Sequence, residues 1–222
     1  MISVAIDGPA GAGKSSLAKA AAQKLGFIYV DTGALYRTVA LKFIKAGLDT
    51  DLDGDIEKLL ENTEISIRFI DSEQHVFLDG KDVSEEIRTP KASMMASAVS
   101  AKPKVREFLL GMQRSLAKNN NVIMDGRDIG TVVLPDADVK IFLTASAEVR
   151  AKRRYNELKE KGMDVSYTEI YDDMIKRDYN DTHREIAPLK PAEDSVVADT
   201  SDCDFQGSLD MILGIIREKV GK

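Results

Sequence analysis

The stretch GPAGAGKS, from Gly8 to Ser15, decides the fold that we expect for this chain. It follows a short apolar run, residues 2–6, that is typical of a buried strand, and it leads into the helix-forming residues 15–25. Small residues allow backbone N–H groups to curl around a phosphate, and Lys14 then reaches the β- and γ-phosphates. A tight glycine-rich turn is the simpler alternative, but such a turn does not require Lys followed by Ser. The pattern is that of a P-loop and predicts ATP binding.

Three arginines on a later predicted helix extend this donor site. Arg150, Arg153 and Arg154 are spaced i, i+3 and i+4, so they share one helical face from which they can contact transferring phosphates. A solvated surface of mixed charge is the alternative. The predicted ATP-binding residues are Gly8, Pro9, Ala10, Gly11, Ala12, Gly13, Lys14, Ser15, Ser16, Arg150, Arg153 and Arg154.

The composition is that of an ordinary globular protein, and it argues against nucleic-acid-binding, zinc-binding, secreted and membrane-spanning proteins. The chain has 222 residues, 43% of them hydrophobic, and a net charge of −6 that argues against bulk nucleic-acid binding. One cysteine, Cys203, and no Cys/His cluster indicate a reducing compartment and no zinc site. The first residues, MISVAIDG, show neither a signal peptide nor a membrane span, so we expect a cytoplasmic protein.

Strand and helix patterns alternate along the chain and predict an α/β fold with a parallel central sheet. The predicted strands are 2–6, 27–30, 122–124, 139–143 and 195–198. The predicted helices are 15–25, 33–46, 103–116, 147–161, 168–183 and 208–220. Residues 48–103 break this rhythm, because the alternation at 65–69 and the short run at 76–78 indicate an inserted hairpin.

Two further clusters follow predicted strands, at the sheet edge where open α/β sheets bind ligands. In Asp125-Gly126-Arg127-Asp128, the first aspartate is placed to orient hydrated magnesium with Ser15, and the last two residues face a second substrate. A turn with solvated charges is the alternative. In the segment DTGALYR, Thr32 is a plausible helix N-cap, while Tyr36 and Arg37 are equally compatible with core and surface roles.

Taken together, six segments resemble bacterial cytidylate kinases along the whole chain. They are GPAGAGKSS, DTGALYR, IRTP, SAVSAKPKVRE, DGRDIGTVV and the RD-x-x-D-x-x-R-x-x-AP segment from Arg177 to Pro188. The resemblance implies a monomeric P-loop kinase that transfers the γ-phosphoryl group of ATP to CMP or dCMP with Mg²⁺. It also implies a core of about 1–47, 104–149 and 185–222, an NMP-binding insert of about 48–103, and a lid region of about 150–184.

The resemblance further implies roles for individual residues of this sequence. Arg37 and Arg127 would hold the α-phosphate of the acceptor, with help from Tyr36 and Thr32; the family more often has Ser at the last position. The positions that match cytosine-reading residues are Ser97, Arg106 and Asp128. Arg177 and Asp181 would contact the sugar, and Arg184 would add charge near the phosphates. The expected catalytic residues are Lys14, Arg37, Arg127, Arg153 and Arg154.

Two other readings of the P-loop stay open from the sequence. The first is a kinase for another small acceptor, such as UMP, AMP or shikimate. The second is a nucleotide-dependent switch, although the sequence contains no Asn-Lys-x-Asp motif for reading guanine.

Overall fold

A parallel five-stranded sheet forms the centre of the structure, a computed structural model that describes residues 1–48, 53–71 and 73–221. The strands are β1 (Ser3–Asp7), β2 (Ile28–Asp31), β3 (Ile65–Ile70), β4 (Glu73–Leu78), β5 (Lys81–Asp82), β6 (Val122–Gly126), β7 (Val139–Thr144) and β8 (Val196–Asp199). The helices are α1 (Lys14–Leu25), α2 (Thr32–Ala46), α3 (Asp53–Glu61), α4 (Pro90–Val99), α5 (Pro103–Asn119), α6 (Ala147–Glu160), α7 (Tyr167–His183) and α8 (Phe205–Val220).

The central sheet has the order β2-β6-β1-β7-β8, and every neighbouring pair in it is parallel. Val4 and Ile6 of β1 pack in a core with α1 and α8, whereas Ala5 packs on the opposite face with residues of β6 and α5. Successive side chains of a strand point to opposite faces, so both faces of β1 are buried. The predicted α/β fold with a parallel central sheet is confirmed.

Parallel strands place their carboxyl ends along one edge, and this fixes the position of the site. Asp7 at the end of β1 lies opposite Gly126 of β6, and Asp31 of β2 lies opposite Asp125. The P-loop and the segment from Asp125 to Asp128 therefore leave the sheet side by side. A short π-helical turn, Ile129–Val133, follows that segment and is called the π turn below.

A second sheet has the order β3-β4-β5 and is antiparallel, with register from Ile65 opposite Leu78 to Ile70 opposite Glu73. The predicted hairpin is therefore present. The same region also contains α3, α4, β5 and a 3₁₀ turn (Glu86–Arg88), which were not predicted from the sequence. Both helices are short, and α4 is built from Ala, Ser and Met, so its periodic signal is weak. Residues 49–52 of the predicted insert lie outside the described residues.

The prediction that Thr32 is the N-cap of α2 is wrong. Asp31, and not Thr32, caps this helix, because its Oδ1 accepts a hydrogen bond of 2.9 Å from the Ala34 amide. The Thr32 hydroxyl instead donates to the backbone carbonyl of Asp125 at 2.7 Å. Both Asp31 and Thr32 have side-chain oxygens that can cap the helix. Asp31 takes this role because the Thr32 hydroxyl is bonded to the Asp125 carbonyl.

Other element boundaries agree with the predicted ranges within a few residues. Gly26 and Gly47 end α1 and α2 in the left-handed conformation, with φ of 68° and 66°. Among the described residues, no helix combines the length and apolar character that a membrane crossing requires.

Candidate active site

The loop from Gly8 to Gly13 has a backbone that only glycine accommodates at two decisive positions. A Cβ atom at Gly8 would lie 1.9 Å from the carbonyl oxygen of Leu143, so no side chain fits there. Gly11 has a φ of +74°, and a Cβ atom on it would lie 2.8 Å from Cε of Met174. The loop curls directly into the N-terminus of α1, where backbone N–H groups and the helix dipole favour a phosphate.

Lys14 is buried at the start of α1, and its Nζ donates to the Pro9 carbonyl at 2.7 Å. Burial, reinforced by the nearby Arg127 guanidinium, lowers the pKa of Lys14 to about 7. The negative charge of bound phosphates would favour the protonated ammonium. The side chain is thus held within the loop, at the place where a P-loop lysine contacts phosphate oxygens.

Ser15 and Asp125 place a hydroxyl and a carboxylate side by side next to the loop. The Ser15 hydroxyl donates to Oδ2 of Asp125 at 2.8 Å, and the Tyr29 hydroxyl donates to Oδ1 at 2.9 Å. Burial raises the pKa of Asp125 to about 6, and the charge of Asp31 adds to this effect. A hydroxyl and a carboxylate are hard oxygen donors of the kind that Mg²⁺ prefers, so the residues present fit this ion.

Two arginines at the same sheet edge are each paired with a carboxylate. Arg37 contacts Asp31 at 2.8 Å, and Arg127 contacts Asp181 of α7 at 2.7 Å. The Arg37 side chain is 25% exposed and that of Arg127 29%, so both guanidinium groups reach solvent. Partly exposed ion pairs are weak and exchange partners readily, which leaves both arginines available for an anionic ligand.

Asp128 lies between two arginines in a buried cluster. Its Oδ2 accepts a hydrogen bond from Arg106 of α5, and its Oδ1 contacts Nη2 of Arg184 at 3.2 Å. The Arg106 guanidinium also lies 5.8 Å from the centre of the Tyr36 ring. A cavity of about 230 Å³ opens beside the cluster, with Tyr36 and Arg106 among its lining residues. Residues far apart in sequence, all of which the resemblance assigns to the acceptor, thus meet in one cluster.

The three arginines of α6 do not share one set of contacts. Arg150 is buried and bridges α7 and the P-loop, because it contacts Asp178 at 2.6 Å and the Ala10 carbonyl at 2.8 Å. Arg153 donates to the backbone carbonyl of Thr200 at 2.7 Å. Arg154 pairs with Glu157 at 2.7 Å on the same helix. The structure therefore places only Arg150 against the P-loop.

The sequence matches the family described as cytidylate kinase over residues 4–218. The cytidylate kinase of Caldicellulosiruptor saccharolyticus is 50% identical over 220 residues, which cover 99% of this chain and 97% of that protein. The cytidylate kinase of Caldicellulosiruptor bescii is 52% identical over 219 residues, with the same coverage of both chains. The chain belongs to the cytidylate kinase family.

A solved structure of an uncharacterized protein from Eubacterium ventriosum has a TM-score of 0.54 and covers 100% of both chains. At 14% identity this similarity concerns the fold alone. The sequence resemblance to cytidylate kinases is confirmed by the family match and by the relatives, which were compared over nearly the full chain.

Most residues that the cytidylate kinase resemblance implies for the acceptor lie at one sheet edge. Tyr36, Arg106, Asp128 and Arg184 form one cluster, and Asp181 is joined to it through Arg127. Ser97 and Arg177 differ, because both side chains are exposed on the helices α4 and α7. Thr32 is only 2% exposed, and its hydroxyl is bonded to a backbone carbonyl.

Two further residues at this edge, the buried Asp7 and the partly buried Tyr29, were not predicted from the sequence. Asp7 accepts hydrogen bonds from the amides of Ile129 and Gly130, both at 2.7 Å. Tyr29 donates to Asp125, as described above. The carboxylate directly before Gly8 is a signal that is visible in the sequence.

Proposed function

We propose that this chain transfers the γ-phosphoryl group of ATP to CMP or dCMP, giving CDP or dCDP and ADP. The observation that carries the proposal is the buried cluster of Asp128 with Arg106 and Arg184, next to Tyr36 and directly after the strand that neighbours the P-loop strand. Relatives named cytidylate kinase are about half identical to it over nearly the full chain.

The donor half of the proposed reaction uses the P-loop. Backbone N–H groups of Gly8 and of residues 10–16 would hold the phosphates of ATP, with Lys14 at the β- and γ-oxygens. Pro9 has no N–H and would line the loop without donating. Ser15 and Asp125 would hold Mg²⁺, which when bound neutralises charge that develops on the phosphates. Arg150 lies against the loop and supports its backbone, whereas Arg153 and Arg154 would have to leave their present partners to contact ATP.

The acceptor half uses the arginines at the sheet edge. We infer that the CMP phosphate displaces the carboxylates of Asp31 and Asp181 from Arg37 and Arg127. A planar guanidinium binds a phosphate through two parallel hydrogen bonds, which fixes an oxygen for in-line attack. Asp181 is then free to accept a hydrogen bond from a sugar hydroxyl, with Arg177 nearby on α7. The acceptor phosphate is already ionised, so the reaction needs no general base.

Selection of cytosine is proposed to depend on the carboxylate of Asp128. A carboxylate accepts a hydrogen bond from the N4 amino group of cytosine, whereas uracil presents an acceptor at the same place. Arg106 and Arg184 fix the direction of the Asp128 carboxylate, so that a uracil carbonyl would face a negative charge. Ser97, from α4, would add a hydroxyl to the base.

The insert of about 48–103 would bind the monophosphate, and the region of about 150–184 would close over the phosphates. A monomer in the cytoplasm, within pyrimidine nucleotide metabolism and without nucleic-acid or membrane partners, fits the single cysteine and the net charge of −6.

An ADP-release assay across acceptors tests the proposal. We expect fast, magnesium-dependent ADP release with CMP and dCMP, slower release with UMP, and little with AMP or shikimate. A higher kcat/KM for one of the other acceptors would identify a different small-molecule kinase. ATP turnover that does not depend on any acceptor would instead indicate a nucleotide-dependent switch.

A further inference from the structure

We propose that Asp7 is a positioning residue that fixes the loop carrying Arg127 and Asp128, and that it thereby sets the affinity for the acceptor. The inference rests on the proposed role of these two residues in binding CMP. Asp7 ends β1, directly before the P-loop glycine Gly8, and its side chain is directed to the other loop of the site.

The Asp7 carboxylate makes a bidentate contact with two consecutive backbone amides. Oδ1 of Asp7 accepts from the Ile129 amide and Oδ2 accepts from the Gly130 amide, each at 2.7 Å. The residue is 5% exposed, so water does not replace these bonds readily. Short hydrogen bonds to an ionised acceptor are about twice as strong as neutral ones.

The two amides belong to the segment that immediately follows the proposed acceptor residues. The backbone carbonyl of Asp128 accepts from the amides of Val132 and Val133 at 2.9 Å and 3.2 Å, which makes Asp128 the first residue held by the π turn. Asp7 accepts from the first two amides of the same turn, those of Ile129 and Gly130. Displacement of the π turn therefore displaces the backbone of Asp128 and of the adjoining Arg127.

Close packing leaves this loop little freedom to adjust. A Cβ atom on Gly126 would lie 2.7 Å from Cδ1 of Ile129 and 2.9 Å from Oγ1 of Thr32. A Cβ atom on Gly130 would lie 3.2 Å from Cδ of Lys140 and 3.4 Å from Oδ2 of Asp7. The neighbouring atoms leave no room for the π turn to adjust locally. A change at the Asp7 carboxylate therefore shifts the backbone of the loop that carries Arg127 and Asp128.

Burial of a carboxylate at this position has a free-energy cost, which favours a functional reason for the residue. Burial raises the pKa of Asp7 to about 6, although the two amides and the Lys14 ammonium favour the charged form. An asparagine has the same shape but only one accepting oxygen, so its NH₂ group would face an amide N–H. The variant Asp7→Asn therefore removes one of the two hydrogen bonds and leaves the side-chain volume almost unchanged.

A general structural role predicts a different result from a positioning role. Asp7 adjoins Gly8, so a general loosening of the strand end would disturb ATP and CMP alike. Positioning of the π turn predicts an effect on CMP alone. Asp138 provides the matched control, because its Oδ2 accepts from the Ser3 amide at 2.8 Å near the start of the same strand.

The test compares steady-state kinetics of the wild type, Asp7→Asn and Asp138→Asn, with CMP and ATP varied in turn. We expect Asp7→Asn to raise the KM for CMP roughly tenfold, the effect of one unsatisfied buried group, while the KM for ATP stays within about twofold. Asp138→Asn should leave both constants unchanged. Equal rises in both KM values, or no rise in the KM for CMP, would overturn the proposal. A wild type that does not phosphorylate CMP would instead contradict the proposed function.

Gly130→Ala is the second variant, for use if Asp7→Asn does not fold. Its Cβ atom would meet Oδ2 of Asp7 and Lys140 without altering the carboxylate. We expect a smaller rise in the KM for CMP and faster hydrogen exchange at the Ile129 and Gly130 amides. Unchanged exchange and an unchanged KM in this variant would overturn the proposal as well.

Discussion

Asp128 and Arg106 form a buried ion pair between the end of β6 and the first turn of α5. Removal of one charge from such a pair leaves the other unpaired, which is costly. Arg184 approaches the same carboxylate at 3.2 Å. Two cations thus hold one carboxylate in a fixed direction, and the proposed choice of cytosine over uracil depends on this arrangement.

Asp128→Asn should reduce discrimination between CMP and UMP. The amide keeps the shape of the side chain but loses the charge that repels a uracil carbonyl, so we expect kcat/KM for CMP to fall roughly 10- to 100-fold. The value for UMP should fall less. The measurement is the ratio of the two kcat/KM values, with thermal unfolding recorded for both proteins. An unchanged ratio would show that Asp128 does not read the base.

Arg127→Ala should impair turnover more than it impairs folding. The guanidinium is partly exposed, so its removal has a small effect on stability, but the acceptor phosphate loses a fixed positive group. We expect kcat with CMP to fall by a factor on the order of 100 or more. Arg127→Lys keeps the charge but cannot make the bidentate contact with a phosphate. Its kcat with CMP should lie between those of the wild type and Arg127→Ala. Near-normal CMP phosphorylation by Arg127→Ala would contradict the proposed role.

ATP binding should take up a proton at alkaline pH. Burial lowers the pKa of Lys14 to about 7, so at about pH 8 the free protein holds this amine mostly neutral. Bound phosphates favour the charged ammonium, and a proton must therefore be taken up; below about pH 6 the amine is already charged and uptake should vanish.

Titration calorimetry in buffers of different ionisation enthalpy measures this proton uptake. Lys14→Arg, which stays charged throughout, is the control and should show no uptake at either pH. Binding heats that do not depend on the buffer at alkaline pH would contradict a lowered pKa of Lys14.

Thr32→Val and Thr32→Ser separate a structural role of this residue from a direct role in phosphate binding. Valine leaves the buried Asp125 carbonyl without its donor and should lower the free energy of unfolding by about 1–3 kcal/mol. For a chain of this length each kcal/mol corresponds to a shift in Tm of roughly 2–4 °C. Serine keeps the hydroxyl and should preserve both stability and the KM for CMP. A stable Thr32→Val protein with a strongly raised KM for CMP would favour direct phosphate contact instead.

Sequence reasoning predicts the parts of this protein that depend on local patterns. The apolar run before Gly8 and the Lys-Ser pair after Gly13 identify the loop, and the alternation of strands and helices gives the parallel sheet. The pairing of α4 with α2 was missed, because short helices of Ala and Ser acquire their stability from packing and not from periodicity.

Partners of individual side chains are harder to predict, since they depend on which elements become neighbours. The spacing of Arg150, Arg153 and Arg154 gives a shared helical direction, yet α7, the segment after β8 and α6 itself supply three separate partners. Asp7 was missed for the same reason. Its two amide partners lie 122 and 123 residues away in sequence.

Transfer of a radiolabelled γ-phosphoryl group from ATP to CMP is the decisive measurement of the proposed activity. Wild-type protein would be incubated with Mg²⁺, CMP and ATP labelled at the γ-phosphorus, and the products separated by chromatography. We expect the label to appear in CDP, in an amount equal to the ADP formed. Label that appears as inorganic phosphate, or that stays in ATP while CMP is unchanged, would contradict it.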